Sequence, residues 1–409
     1  MAADLLPPLL RAARQHHAAC FVMDRGPGET WLTWTDRPAL EVGAGWPAEL
    51  RGALRDACPR EGGLVGWIGY EAGAAVEEMP APRDSRPLPD LGLWPVAGFI
   101  ELGPTGPRVL GGARFQAEAE RLLRSAPSSP PSPPAGPLRP LPRGPARGYA
   151  AAVRRALRHI ADGDCYQINL AWEARGLPCP DGLDAWLRLR RLNPARRGAW
   201  LRAGAVELVS NSPETYLDVE PGPGGLRATS TPIKGTAPRR AGAPPPDALV
   251  HSEKELAELT MIVDMVRNDL GRVAEIGGVE AGPREIVACG DLWHAEQTVR
   301  ARLRAGVDAI DALAATFPPA SVTGAPKVRA MQIIRALERG PRGVYTGAIG
   351  ALRADGRASF SVAIRTAIVA AGRARFHVGA GIVADSSPEA EWLETRAKGE
   401  ALCRHLQGA

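Results

Sequence analysis

Residues 378–398 read VGAGIVADSSPEAEWLETRAK. Two structural periods meet in this stretch. Arg375 to Val383 reads as a strand, and the Asp385-Ser386-Ser387 turn breaks it. Ser387, followed by Pro388, is placed to cap a final helix. Glu391 and Glu394 then fall three apart, which puts both on one helix face. Gly379-Ala380-Gly381 lets backbone approach a ligand closely, because glycine carries no Cβ.

The same alternation of strand and helix extends upstream. Ser359 to Val369 reads as one strand, with Arg365 on the face opposite Phe360, Val362 and Ile364. Pro326 to Glu338 reads as a helix with proline at its first position and Gly340-Pro341 beyond its end. Glu255 to Leu270 is a helix with Leu259, Ile262, Val263 and Val266 on one face. Tyr166 to Trp172 reads as a strand, and Tyr149 to Ile160 as a helix that stops at Asp162-Gly163-Asp164. Pro221 to Gly225 reads as the turn of a hairpin. This alternation predicts an α/β fold. By itself it fits a parallel arrangement as well as an antiparallel one.

The chain has 409 residues, 45% of them hydrophobic, enough for a sizeable core. Residues 126–147 are so rich in proline that they predict an extended linker. That linker divides an N-terminal region, 1–125, from a catalytic domain, 148–405. The N-terminal region has short apolar runs at Cys20 to Asp24 and Leu64 to Tyr70 and reads as mixed α and β. Net charge is +5, without a block of like charge, and aromatics make up 5%. That balance excludes a nucleic-acid binder, which would cluster its charge and interleave aromatics. The first fifteen residues hold no apolar signal segment, and no run of 18 apolar residues occurs, so no membrane span is expected. Six scattered cysteines without CxxC spacing read as reduced thiols in a cytoplasmic protein.

Of 50 basic residues, only four are lysines: Lys234, Lys254, Lys327 and Lys398. Arginine replaces lysine freely on a solvated surface, but not where a deprotonatable amine or a compact cation is needed. The lysines that persist are therefore candidates for chemistry. Lys234 lies in Thr231-Pro232-Ile233-Lys234-Gly235-Thr236, beside a tight turn. Lys327 follows Thr-Gly-Ala-Pro in the first turn of a helix, where a cation opposes the helix dipole and calls for an anion nearby. Glu255 and Glu258 form a second acidic pair on one helix face. If the two pairs meet, four carboxylates gather, and a hard-oxygen set without histidine suits Mg2+. The alternative is two solvated glutamate faces. Arg365, on a strand, calls for an anionic partner, and its fork suits a carboxylate.

In this order, GDCYQINLAWEAR (163–175), SNSPETYL (210–217), TPIKGTAPR (231–239), ELAELTMIVDMVRNDLGRV (255–273), FPPASVTGAPKVRAMQII (317–334), YTGAIG (345–350), FSVAIRTA (360–367) and 378–398 resemble the chorismate-utilising enzymes. The segments span essentially all of 150–405. GLVGWIGYEAG (63–73) resembles that family's less distinctive N-terminal region. The resemblance implies an anthranilate synthase component I-like fold: two large antiparallel β-sheets packed together and flanked by helices. It implies chorismate as substrate, and Glu258 and Glu394 as Mg2+ ligands with Glu255 and Glu391 close behind. Arg365 and Tyr345 resemble the pair that binds the enolpyruvyl carboxylate. Gly235, Thr236, Thr323, Gly379, Gly381, Lys398, Gln167 and His294 match positions that line the ligand, although HAEQTV (294–299) departs from the family's usual His-Leu-Val-Ser. Glu214 resembles the general acid/base at the C4 hydroxyl.

Most of the family carries alanine where this chain has Lys234. Lysine there resembles the aminodeoxychorismate synthase branch. The implied reaction is attack of Lys234 on C2, then replacement by ammonia at C4. The product would be 4-amino-4-deoxychorismate, the p-aminobenzoate precursor. Ammonia would come from a separate glutamine amidotransferase subunit, since no GxCxG nucleophile segment is present. The alternatives are an anthranilate synthase component I and a non-catalytic chorismate-binding relative. The second has no reason to keep Glu258, Glu394, Lys234 and Arg365 together. No LLES-like motif occurs, so tryptophan feedback is not implied.

Overall fold

The computed structural model describes residues 2–43, 45–79, 88–125, 140–141, 144–240 and 242–407. Among them, two antiparallel sheets pack face to face, and helices cover their outer faces. The first sheet has ten strands. They run in the order Gly324–Ala325, Gln167–Pro178, Arg373–Ile382, Thr366–Ala370, Val206–Ser212, Arg197–Ala203, Ala19–Gly26, Glu29–Thr35, Gly98–Gly103 and Gly106–Gly111. The second runs Ile233–Pro238, Leu292–Leu303, Gly225–Thr231, Thr215–Gly222, Ala358–Val362, Ala348–Arg353, Gly63–Ile68 and Leu91–Val96, with Ala274–Cys289 also paired to Leu292–Leu303.

Alternation along the strands builds the layers. In Ala19–Gly26, Phe21 and Met23 face the other sheet, while Cys20 and Val22 face the helices. In Gly63–Ile68, Val65 and Trp67 point between the sheets, and Leu64 and Ile68 point outward. Trp67 packs against Trp94 in that middle layer, with ring centroids 5.3 Å apart and planes tilted by 52°. The helix Glu253–Gly271 covers the second sheet with Leu259, Ile262, Val263 and Val266. The final helix, Pro388–Gln407, covers the first sheet, and Trp172 Nε1 donates to Thr395 Oγ1 at 3.1 Å to seat it.

Strands from both sides of 126–147 share both sheets, so the two portions of the chain are not separate units among the described residues. Of the proline-rich segment, 126–139 and 142–143 lie outside the described residues. Leu141 is buried in the core, and Ala146 already begins the helix Ala146–Ala161. The hairpin at Pro221 to Gly225 is a tight turn, with Gly222 paired to Gly225. All six cysteines are free thiols. No helix among the described residues is long and apolar enough to cross a membrane.

Two expectations need correction. Pro326 caps the helix Lys327–Leu337 rather than opening it from within. More consequentially, Ser359 to Val369 is not one strand. Ala358–Val362 lies in the second sheet and Thr366–Ala370 in the first. Ala363 to Arg365 carries the chain across, and Arg365 adopts φ 49°. Arg365 is therefore a crossing residue, not a strand residue facing away from Phe360. The chain makes a second crossing beside the first, from Val206–Ser212 to Thr215–Gly222 through Pro213 and Glu214. Asn211 N donates to Arg365 O at 3.0 Å, and Val362 N donates to Glu214 O at 3.2 Å.

The middle layer sets the spacing of these crossings. Trp67→Ala is expected to lower the unfolding free energy by about 3–5 kcal/mol. Urea unfolding measures it, and a loss below about 1 kcal/mol would contradict a packed layer between the sheets.

Candidate active site

Glu214 and Arg365 mark the centre of the site, one on each crossing. Glu214 is 4% exposed. Burial pushes its carboxyl up to about 7, while Ser321, Lys234, the Ile233 backbone and Arg365 pull the other way. Arg365 makes no ion pair among the described residues, and burial lowers its pKa. No anion pairs with it among the described residues, which leaves a desolvated guanidinium fork at the site.

Lys234 lies on Ile233–Pro238, at the end of the second sheet. The register slips between Lys234 and Thr236, and Gly235 takes φ +79° there. A Cβ at Gly235 would also stand 3.1 Å from Glu255 Oε2 and 2.8 Å from Leu249 Cδ1, so only glycine lets this bulge close. Lys234 Nζ is 3.7 Å from Glu258 Oε2. It reaches across to the first sheet, where it is 3.4 Å from the point a Cβ on Gly381 would occupy. Thr236 Oγ1 pairs with His294 Nδ1 at 3.0 Å. Burial first, and then the Arg365 charge, press His294 down to about 4, so its ring is neutral at pH 7.

The first sheet supplies the floor. Gln167 and Asn169 are two apart on one strand face, and Gly379 and Gly381 are two apart on the neighbouring strand. A Cβ on Gly381 would meet Gln167 Nε2 at 2.4 Å, and one on Gly379 would meet Tyr345 Oη at 2.7 Å and Asn169 Oδ1 at 2.9 Å. Gln167 Oε1, Asn169 Oδ1 and His294 Nε2 are buried without hydrogen-bond partners. Such atoms are costly unless a ligand or water meets them. Tyr345 stacks on His377 at 5.3 Å. Lys398 Nζ donates to Gly379 O at 3.3 Å and pairs with Glu394 at 2.6 Å. Thr323 is fully buried, its hydroxyl donates to Ala320 O, and its carbonyl accepts from Asn169 N. It therefore shapes the floor through its backbone.

The four glutamates do not converge. Among the described residues no three acidic, histidine or cysteine side chains gather into a metal cluster. Carboxylates repel one another, and Glu258 and Glu394 each stand beside an ammonium instead. Glu391 accepts from Ser386 Oγ at 2.6 Å. Each pair nonetheless borders the site. Glu255 and Glu258 face the Lys234 strand, and Glu394 reaches the Gly379 strand through Lys398. In kind, though not gathered into one cluster, the donors suit a hard divalent cation.

Lys327 has a different role from the one its sequence position suggests. Its Nζ bonds Asp269 Oδ2 at 2.5 Å and Thr316 O at 2.8 Å. The anion it needs is Asp269 of the same chain. The side chain of Lys254 lies outside the described residues.

Several contributors escaped the sequence reading. Asn169 was legible, since it shares a strand face with Gln167. Arg342 was not. Its buried guanidinium bonds Glu338, Val322 O, Asn169 O and Thr346 Oγ1, and so ties together the segments that carry Asn169, Thr323 and Tyr345.

Residues 35–404 match the family model described as chorismate binding enzyme. The aminodeoxychorismate synthase of Streptomyces griseus is 35% identical over all of this chain, which spans 59% of that protein. The anthranilate synthase component 1 of Streptomyces coelicolor is 36% identical over 86% of this chain and 74% of its own length. The crystal structure of anthranilate synthase component I from Streptococcus pneumoniae superposes with a TM-score of 0.77 at 27% identity, covering 98% of both chains. The chain belongs to the chorismate-binding enzyme family.

Gly381→Ala tests the floor. The added methyl collides with Gln167 and crowds Lys234. The KM for chorismate is expected to rise at least tenfold while the melting temperature holds. An unchanged KM would remove Gly381 from the ligand surface.

Proposed function

We propose that this enzyme converts chorismate and ammonia to 4-amino-4-deoxychorismate through a covalent adduct on Lys234. The observation that supports this reading most is the placement of Lys234. Its amine spans the gap between the sheets, among Glu258, Gly381 and the buried acid Glu214.

In the first step, Glu214 in its protonated form gives its proton to the C4 hydroxyl. The C4–O bond breaks and water leaves. The neutral Lys234 amine bonds to C2, and the ring double bond shifts between them. Glu214 is left as carboxylate and Nζ as a secondary ammonium. In the second step, ammonia bonds to C4, the C2–Nζ bond breaks, and its electron pair returns to Lys234 as a neutral amine. Two allylic substitutions replace one hard displacement.

Arg365 and Tyr345 would hold the enolpyruvyl carboxylate, and the buried orphan atoms of Gln167 and Asn169 would meet the ring's polar groups. Glu258 and Glu394 would hold Mg2+, with Glu255 and Glu391 behind them, and the ion would neutralise the substrate's ring carboxylate. Neutral His294 would hydrogen-bond to substrate rather than compete with Arg365 for its anion. A separate glutamine amidotransferase would supply ammonia, and the product would serve p-aminobenzoate and folate synthesis after a lyase acts on it.

The product decides the matter. With chorismate, Mg2+ and ammonium, chromatography is expected to show aminodeoxychorismate, converted to p-aminobenzoate only when a lyase is added. Direct release of fluorescent anthranilate would overturn the assignment in favour of the anthranilate synthase reading. Lys234→Arg keeps the charge but cannot supply a neutral amine. It is expected to lose turnover at least about a thousandfold, the scale seen when a covalent nucleophile is removed.

Glu214 gives a pH signature. The acid form acts first, and it is populated below about 7. The limb that Glu214 sets is a fall in adduct formation as pH rises through about 7, where its proton is lost. Glu214→Gln should abolish the limb along with about 10²–10⁴-fold of rate. A rate that rises through pH 7 would contradict Glu214 as the acid.

A further inference from the structure

A small cavity lies behind Glu214. It is lined by Glu214, Tyr216, Ser230, Asp269, Thr316 and Ser321, and its free space is about 10 Å3. That is room for one water-sized molecule. On the outer side of the helix Glu253–Gly271, a groove of about 960 Å3 opens between Met261, Met265, Leu256 and the exposed Tyr166. Asp269 and Lys327 also line this groove. Asp269 lines both spaces. Between them, Lys327 Nζ pairs with Asp269 and bonds Thr316 O, which also lines the cavity.

The lining of the cavity is rich in acceptors. Glu214 and Asp269 contribute carboxyl oxygens. Thr316 Oγ1 donates to Ala312 O, which leaves its lone pairs for a guest or for Tyr216. Apart from the Glu214 carboxyl beside it, Ser321 Oγ has no hydrogen-bond partner among the described residues. A water molecule needs donors as well as acceptors. Ammonium is of water's size and needs acceptors only, and the Glu214 carboxylate left by adduct formation would complement its charge.

We propose that this cavity is an ammonium site, reached from the groove past the Lys327–Asp269 pair, and that Glu214 deprotonates its occupant. The inference rests on the reaction proposed above and completes its proton balance. After adduct formation Glu214 is a carboxylate. It takes one proton from ammonium, and the resulting ammonia bonds to C4 as Lys234 departs neutral. Glu214 is then protonated again, Lys234 is a free amine, and the product carries the remaining three hydrogens as its own ammonium. Nitrogen thus reaches the ring from the Glu214 side, while chorismate occupies the cleft beyond it.

Two variants test the site, assayed with ammonium chloride as the nitrogen source at fixed pH. Ala320→Val adds methyls inside the cavity, which Ala320 also lines. Met265→Trp narrows the mouth of the groove from a half-buried helix position at the edge of the core. Each is expected to raise the KM for ammonium at least tenfold. The KM for chorismate and the rate of adduct formation without ammonium should stay within twofold. Melting temperatures identify a variant that fails to fold, and the other then decides. An ammonium KM that stays put in a folded variant, or that moves together with the chorismate KM, overturns the proposal and leaves the cavity as a site for water. Product identity is read separately. Anthranilate as product would sink the proposed reaction, whereas an unmoved ammonium KM with aminodeoxychorismate as product would sink only this site.

Discussion

The chain crosses between its two sheets at two neighbouring points, and the candidate active site is built on those crossings. At each, a polar residue is forced into the layer where the sheets meet. Glu214 enters on one and Arg365 on the other, and their backbones are stitched by the Asn211–Arg365 and Val362–Glu214 hydrogen bonds. A left-handed conformation in a non-glycine residue costs about 1–2 kcal/mol. Arg365 accepts it at φ 49° and Thr346 at φ 60°. Thr346 N donates to Ala363 O beside the same crossing. The packing of the Trp67 layer and the backbone bonds hold these residues in place. Burial then follows from position, and it supplies the chemistry: a carboxyl poised near 7, a guanidinium with no ion pair among the described residues, and a histidine kept neutral.

The ends of the two sheets complete the site from opposite sides. Lys234 comes from the last strand of the second sheet, and Gly379, Gly381, Gln167 and Asn169 come from the end of the first. On the proposed reading, substrate would lie between two rigid surfaces rather than on a loop. The three described lysines each stand beside a carboxylate: Lys234 by Glu258, Lys327 by Asp269, and Lys398 by Glu394. Similar pairings serve different ends. Lys327 and Asp269 are both under 10% exposed and lock a helix start to a helix end, while Lys398 and Glu394 are half exposed at the rim.

Much of this was legible in the sequence, because local periodicity reports local structure. The helices Ala146–Ala161 and Glu253–Gly271, the strand Arg373–Ile382 and the Ser387 cap all follow from spacing and capping, and Ala390 N does donate to Ser387 Oγ. The break at Ala363 to Arg365 was not legible. Apolar residues alternate on both sides of it, with no glycine or proline between them, and only the destination sheet changes. Partnerships across long separations were equally hidden. Asp269 lies 58 residues from Lys327, and Asn169 lies 173 from Arg342. The scarcity of lysine singled out Lys234 and Lys398 as candidates, but it could not distinguish them from Lys327, whose need for a compact cation is met inside the fold.

The central claim is that Lys234 is a nucleophile aimed into the gap between the sheets. The most direct test is to incubate the enzyme with chorismate and Mg2+ in the absence of ammonium, quench with acid, digest, and map the peptides by mass spectrometry. The peptide containing Lys234 should gain the mass of chorismate less one water, and a pulse of ammonium before quenching should discharge it. Turnover to product with no adduct on Lys234, or an adduct mapped to another residue, would contradict the account.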